Sequence, residues 1–261
     1  MRRILLALPA AMLASPALAQ ATDFCADRPG LGTPGCTMPP GQVMIELGVA
    51  GWDHLADPAS TEDDLTYGDL LVRAGLDDRT ELQIGLGGYT TTRSRDRLNG
   101  VITRWAGSGD LSLGLRRSLS GPGGPVAVQV TVTLPTGHSG IGAGDWSAAV
   151  QVPIAVKLPA GFELDLTPEA DAAANSSGKG RHLVWGGVAG LSHAAGSNVT
   201  VEAEIGAWRD GDPAGHATDA RGAISLAWHA SKDWQLDLEG DAGLTAAAPR
   251  RSLMFGLARR F

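Results

Sequence analysis

From Gly41 to the end of the chain, apolar and polar residues alternate in stretches separated by turns or loops. Residues 126–135 show the pattern most clearly, with Val126, Val128 and Val130 alternating with Ala127 and Gln129. Successive side chains of a β-strand point to opposite faces, so this alternation predicts strands with one apolar and one polar face. Strands of roughly ten residues with an apolar face toward lipid and a polar face toward a lumen are typical of transmembrane β-barrels.

Twelve such stretches fall within residues 43–261 and predict an all-β fold, a closed antiparallel transmembrane β-barrel of about 12 strands. Short connections near residues 78, 122, 160, 196 and 231 alternate with longer ones at residues 53–64, 91–108, 136–144, 175–181 and 211–217. Short periplasmic turns, long external loops and an even strand number are the rule for bacterial outer-membrane barrels. Pro153 lies within the sixth predicted strand, residues 145–158, and predicts a bulge or break because proline has no N–H to donate.

The two ends of the chain indicate export to the outer membrane of a Gram-negative bacterium. Arg2 and Arg3, an apolar run at residues 4–13 and Ala17-Leu18-Ala19 have the order of a signal peptide, residues 1–19. The apolar run is too short for a permanent membrane helix. The last strand ends in Phe261 and resembles the C-terminal signal by which the barrel-insertion machinery recognises its substrates.

Residues 20–42 precede the alternating pattern and predict a periplasmic N-terminal extension. Cys25 and Cys36 flank a stretch rich in proline and glycine. In an oxidising compartment, a short disulfide loop is the expected state of such a pair. Two thiolates without a nearby histidine leave a zinc site incomplete, so we expect no metal there.

Composition argues against two other functional classes. The net charge of −7 argues against nucleic-acid binding, which needs a basic surface. The Gly-x-Ser-x-Gly motif is absent and the six histidines fall in no catalytic pattern, so we expect neither enzymatic activity nor a cofactor.

The polar faces of the predicted strands supply the candidate lumen residues, and acidic side chains dominate them. Two interpretations remain open: a polar channel that selects solutes, or acid–base ladders that fill a narrow barrel. The acidic excess favours cationic or neutral solutes. The candidates are Glu46, Asp69, Arg73, Glu81, Gln83, Arg116, Gln129, Gln151, Lys157, Glu163, Asp165, Glu169, Glu202, Glu204, Arg221, Asp237, Glu239 and Asp241.

Three short motifs open predicted strands: Gly68-Asp69-Leu70, Gly109-Asp110-Leu111 and Gly144-Asp145-Trp146. The stretch Thr131-Val132-Thr133-Leu134-Pro135-Thr136-Gly137 lies between the last two. Together they resemble the family labelled "putative MetA-pathway of phenol degradation", over residues 44–261. The resemblance implies an outer-membrane barrel related to channels for hydrophobic compounds, and it carries no catalytic residues.

The sequence therefore supports passive passage of small solutes, aromatic or hydrophobic ones among them, across the outer membrane. The expected partners are outer-membrane lipids, the barrel-insertion machinery and a small-molecule solute. The alternative is a non-transporting structural or adhesive barrel, motivated by the polar connection at residues 91–108.

Overall fold

A computed structural model describes residues 24–261 as a closed barrel of twelve antiparallel strands, which confirms the predicted fold class. The predicted signal peptide, residues 1–19, lies outside the described residues. Three strands are split into two segments, labelled a and b. The strands are β1 (Val43–Ala56), β2 (Ser60–Gly75), β3a (Thr80–Leu86), β3b (Tyr89–Asp96), β4a (Ile102–Ser108), β4b (Leu111–Ser118), β5 (Ala127–Leu134), β6a (Ser147–Gln151), β6b (Ile154–Lys157), β7 (Phe162–Ala174), β8 (Arg181–Ala194), β9 (Val199–Asp210), β10 (Ala217–Ser231), β11 (Trp234–Gly243) and β12 (Arg251–Arg260).

The barrel closes through β1, which pairs with both β2 and β12. Met44 lies opposite Arg73 on one side and Arg260 on the other. The start of β1 and the end of β12 therefore lie at one end of the barrel, called the turn end here, and the opposite end is called the loop end. In bacterial outer-membrane barrels, the end that carries both chain ends faces the periplasm.

Two strands are interrupted at glycines that bring backbones together. Gly87 and Gly88 separate β3a from β3b, and Gly109 with Asp110 separates β4a from β4b. A Cβ atom on Gly109 would lie 2.8 Å from the Gly87 Cα. Strands β3 and β4 therefore change direction together at this point, and their segments β3b and β4a pair as a hairpin toward the loop end.

The third interruption lies in β6, at Val152 and Pro153. Segment β6a pairs with β5 and β7, whereas β6b pairs with β7 alone apart from one isolated bridge. The Pro153 carbonyl oxygen accepts a hydrogen bond from the Ala127 N–H at 3.0 Å. The predicted break at Pro153 is confirmed.

Two of the predicted long connections are wrong. Residues 53–64 and 91–108 are mostly strand, and only residues 57–59 and 97–101 connect the strands there. These strand ends are polar on both faces, as in Thr90-Thr91-Thr92, because they extend past the apolar belt. An apolar–polar pattern cannot detect a strand segment whose outer face carries no apolar side chains.

The faces of the wall follow the predicted alternation. Leu82, Ile84 and Leu86 are 38%, 43% and 46% exposed on the outside of β3a, whereas Glu81 and Gln83, which alternate with them, are buried. Two tryptophans depart from a simple aromatic belt: Trp105 lies opposite the buried Thr92, and Trp208 donates to Glu169 inside the barrel.

The predicted periplasmic extension occupies a different place in the structure. Residues 24–38, called the lumen segment here, lie within the barrel and contact inward-facing side chains of several strands. Within residues 24–261 the single helical element is the short turn Pro159–Gly161, and no helix is long and apolar enough to cross a membrane.

Candidate functional site

The strand pairing puts all the candidate lumen residues on inward faces, where they fall into two groups. Their role in lining a solute pathway stays a prediction. One group bonds to the lumen segment: Glu46, Arg73, Glu81, Gln83, Arg116, Gln151, Glu204, Asp237 and Glu239. The structure gives no such bond for the rest: Asp69, Gln129, Lys157, Glu163, Asp165, Glu169, Glu202, Arg221 and Asp241.

Four glutamates of the wall hold the backbone of the lumen segment. Glu46 accepts from the N–H groups of Asp27 and Arg28, at 2.9 and 3.0 Å to its Oε2 atom. Glu204 accepts from Leu31 and Gly32 at 2.7 and 2.8 Å.

The other two glutamates act further along the segment. Glu239 accepts from the N–H of Gly30 at 2.7 Å, and Glu81 accepts from Met38 at 2.6 Å. Hydrogen bonds to a charged acceptor are stronger than neutral ones, so these carboxylates are strong anchors for a segment without secondary structure.

Two buried arginines form the electrostatic centre of this attachment. The Arg73 guanidinium lies 2.8 Å from Asp27, 3.1 Å from Glu46 and 2.9 Å from Glu81, and its side chain is fully buried. The equally buried Arg116 lies 2.7 Å from Asp27 and donates to Gln129 at 2.7 Å. Asp27 therefore bridges two strands of the wall from inside the lumen.

The predicted disulfide between Cys25 and Cys36 is confirmed. Both bridged residues are also fastened to the wall, because Arg73 donates to the Cys25 carbonyl and Arg116 donates to that of Cys36. Beside the bridge, a Cβ on Gly35 would lie 2.4 Å from the Pro125 carbonyl oxygen. The lumen segment thus touches the wall at Pro125, and there is no space between the two backbones at this point.

The opposite side of the lumen is less filled. A cavity of about 300 Å³ separates the lumen segment from β7, β8 and β9, and Glu163, Asp165 and Glu202 line it together with Phe24. A second cavity, of about 550 Å³, lies on the β5–β6 side beside the disulfide, where Pro125, Val156 and Lys157 border it. The charged side chains that border the remaining space at the turn end are therefore mainly acidic.

Polar pairs continue along the wall toward the loop end. The Trp208 indole donates to Glu169 at 3.0 Å, and Ser252 donates to Asp53 at 2.5 Å. Arg221 pairs with Asp219, and Asp241 lies opposite Ser252. The structure therefore contains features of both interpretations of the lumen. Acid–base pairs fill part of it, and cavities bordered by acidic side chains remain.

The sequence pattern did not identify the contribution of the lumen segment itself. Asp27 and Arg28 are its charged residues, and Arg28 lies 3.2 Å from Asp237. The one available signal in the sequence was that Asp27 and Arg28 are isolated charged residues in a stretch rich in proline and glycine. The partners lie up to 209 residues away in the sequence, so only the fold could identify them.

Comparisons with known proteins agree with this fold. A family model described as "Putative MetA-pathway of phenol degradation" matches residues 26–261. The crystal structure of the COG4313 outer membrane channel from Pseudomonas putida F1 is similar with a TM-score of 0.72 and 15% identity, over 90% of this chain and 99% of that one.

Two further solved structures share the barrel. The β-domain of the Bordetella autotransporter BrkA has a TM-score of 0.57 at 15% identity, over 86% of this chain and 100% of that one. The translocator domain of the autotransporter NalP from Neisseria meningitidis has a TM-score of 0.56 at 15% identity, over 86% and 90%. A search of curated proteins finds no match.

Proposed function

This chain belongs to the family described as "Putative MetA-pathway of phenol degradation", and we propose that it is an outer-membrane channel for the passive passage of small solutes. Aromatic and hydrophobic compounds are the solutes that the family description favours. Passive passage requires neither a catalytic residue nor a cofactor.

One observation carries the proposal: the lumen is occupied by a segment held through polar contacts, inside a wall that is closed without it. Every strand of the barrel pairs with two neighbouring strands, and closure depends on the pairing of β1 with β2 and β12. The lumen segment contributes no strand to this wall. Movement of the segment would therefore widen the lumen without opening the barrel.

The nature of the contacts supports such movement. Carboxylate bonds to backbone N–H groups exchange with water at a modest net cost, on the order of 1.5–3 kcal/mol each for a charged acceptor. A solute that enters the acidic cavity beside β7–β9 meets water-accessible polar groups. The acidic border favours neutral or cationic solutes over anions.

Single-channel conductance and liposome swelling test the proposal with the full chain. We expect conductance through the wild type and more frequent or larger openings in the double variant Glu204→Ala/Glu239→Ala, which loses the carboxylates that hold Gly30, Leu31 and Gly32. Neutral aromatic solutes should enter liposomes faster than anions of similar size. Sealed liposomes with both proteins would contradict the proposal.

The alternative, a non-transporting structural barrel, is supported by the buried network around Arg73 and Arg116. These arginines fix Asp27 and the disulfide loop in the lumen. A barrel that stays sealed in both the wild type and the double variant while remaining folded would favour this alternative. The connection at residues 91–108 no longer supports an adhesive role, because it is largely a regular hairpin.

A further inference from the structure

The outer face of the barrel carries a continuous row of charged side chains near the loop end. Directly paired residues on β12, β1, β2, β3b and β4a form this row. Paired residues of neighbouring strands point to the same face, so the five side chains share one side of the wall. The row, called the arginine row here, consists of Arg251, His54, Asp63, Arg93 and Arg104.

The rows below it establish that this face is turned toward lipid. The next outward-facing row lies two positions closer to the turn end on each strand. In this row Trp52 of β1 is paired with Leu253 of β12 and with Leu65 of β2, and the two leucines are 51% and 39% exposed. One step further, the pair Tyr67 and Tyr89 is 47% and 54% exposed. Exposed apolar and aromatic side chains in this arrangement form the lipid-facing belt and its interface.

The arginine row therefore lies one step above the apolar belt. Two residues along a strand span about 7 Å, which places the guanidinium groups at the depth of lipid headgroups. The flexible arginine side chain can reach that depth while its stem covers apolar surface.

The charges of the row are not balanced within the protein. Asp63 interacts with His54 at 2.8 Å and with Arg93 at 4.0 Å, and it accepts from the Trp52 indole at 3.3 Å. Among residues 24–261, Arg104 and Arg251 have no carboxylate within 4.0 Å. Arg93 and Arg104 are also directly opposite each other, an arrangement that repels unless an anion lies between them.

Further basic groups and an open cleft adjoin the row. Arg95 lies one step above Arg93 on the same face, opposite Ile102. Beside β12, a cleft of about 660 Å³ is bordered by Arg250 and Arg251 together with Trp52 and His54. A net-acidic protein thus places several arginines on a lipid-facing surface, while its buried glutamates, such as Glu46 and Glu81, face the lumen.

We propose that the arginine row binds the phosphate groups of a phosphorylated glycolipid in the outer leaflet, the lipid A class. Guanidinium groups bind phosphate oxygens through paired hydrogen bonds, and a phosphate between Arg93 and Arg104 neutralises their repulsion. The acyl chains of the same lipid lie along Leu65, Leu253 and Tyr67. This binding is independent of solute passage, because no residue of the row faces the lumen.

Binding of diphosphoryl lipid A in mixed micelles tests the proposal, with the full barrel and a dephosphorylated form of the same lipid for comparison. Each arginine near an anionic surface contributes about 1 kcal/mol, so Arg93→Gln/Arg104→Gln should weaken binding about 30-fold. The matched control is Arg117→Gln, which removes an outward arginine of the same strand at the turn end. Arg117 lies 3.9 Å from Asp77 and is 55% exposed, so its loss should leave lipid binding unchanged.

Heat-modifiable migration on gels verifies that each variant is folded. Equal binding by the double variant and the wild type would overturn the proposal, as would an equal loss in the Arg117 variant. Saturation by millimolar inorganic phosphate with no preference for the lipid would also overturn it, since the row would then be a phosphate site and not a lipid site.

Discussion

At the scale of single residues, Arg73 is a charged group in an environment closed to water. It is a fully buried cation with Asp27, Glu46 and Glu81 around it, and one of these three carboxylates belongs to the lumen segment. Buried charges are tolerated only when they are paired and hydrogen-bonded. Arg73 therefore joins the stability of the wall to the position of the segment.

We expect Arg73→Gln to lower the free energy of unfolding by about 3–5 kcal/mol, because it leaves buried carboxylates without their cation. Urea unfolding in detergent micelles or liposomes measures this change. Arg117→Gln provides the control, since its ion pair with Asp77 is exposed and contributes about 0–1 kcal/mol. Equal unfolding free energies in the two variants would show that the ion pairs of Arg73 do not stabilise the folded barrel.

At the scale of elements, the junction between β3 and β4 depends on the absence of side chains. Gly109→Ala places a Cβ 2.8 Å from the Gly87 Cα, and neither backbone can withdraw without breaking strand pairs. We expect a loss of about 1–3 kcal/mol, typical of overpacking. The urea midpoint of the barrel measures it. Gly215→Ala is the control, because a Cβ there meets open space, and an identical midpoint for both variants would contradict the steric argument.

The loop-end connections β7–β8 and β9–β10 are joined by a single aspartate. Asp212 accepts from the N–H of Ala214 and of Ser176, each at 2.7 Å, and these bonds hold the pKa of its carboxyl below the ordinary value of 3.8. A lowered pKa in the folded state means that the stabilisation is complete above the ordinary pKa. It is lost as the pH falls through the lowered pKa.

We therefore expect the amides of residues 175–180 to be protected from hydrogen exchange at neutral pH and to lose protection below about pH 3.8, after correction for the intrinsic exchange rate. Asp212→Ala should show low protection at both pH values. Asp57→Ala, in the connection between β1 and β2, should leave these amides unchanged. Protection that is independent of pH in the wild type would exclude Asp212 as the link.

At the scale of the whole molecule, the wall and the lumen segment are two bodies joined by polar contacts. The wall is held by strand pairing around a complete ring. The segment is held by carboxylates, two arginines and its own disulfide. A change confined to the segment, which leaves Arg73 and its wall partners Glu46 and Glu81 in place, should therefore leave the wall folded.

Replacing both cysteines, Cys25→Ser/Cys36→Ser, removes a cross-link that limits the freedom of the detached segment, a contribution of about 3 kcal/mol for a loop of this size. We expect more frequent channel openings in planar bilayers and an unchanged urea midpoint of the wall. A lower midpoint with unchanged openings would mean that the disulfide supports the wall and not the segment.

The sequence by itself determined the barrel. A period of two in hydrophobicity can be satisfied only by strands with distinct faces, so the strand number, the inward set from Glu46 to Asp241 and the break at Pro153 followed from local order. The same reasoning missed the strand ends at residues 53–64 and 91–108, because those residues are mostly polar on both faces and lie beyond the apolar belt that faces the lipid acyl chains.

Only the tertiary structure decided what occupies the lumen. The lumen segment has no periodicity, and its bonds join backbone N–H groups, which every residue but proline carries, to carboxylates as distant as Glu204 and Glu239. The same holds for the arginine row, since Arg251, Arg93 and Arg104 become neighbours only when β12 pairs with β1 and the ring closes. Local order sets the face toward which a side chain points, whereas closure of the barrel sets which side chains meet.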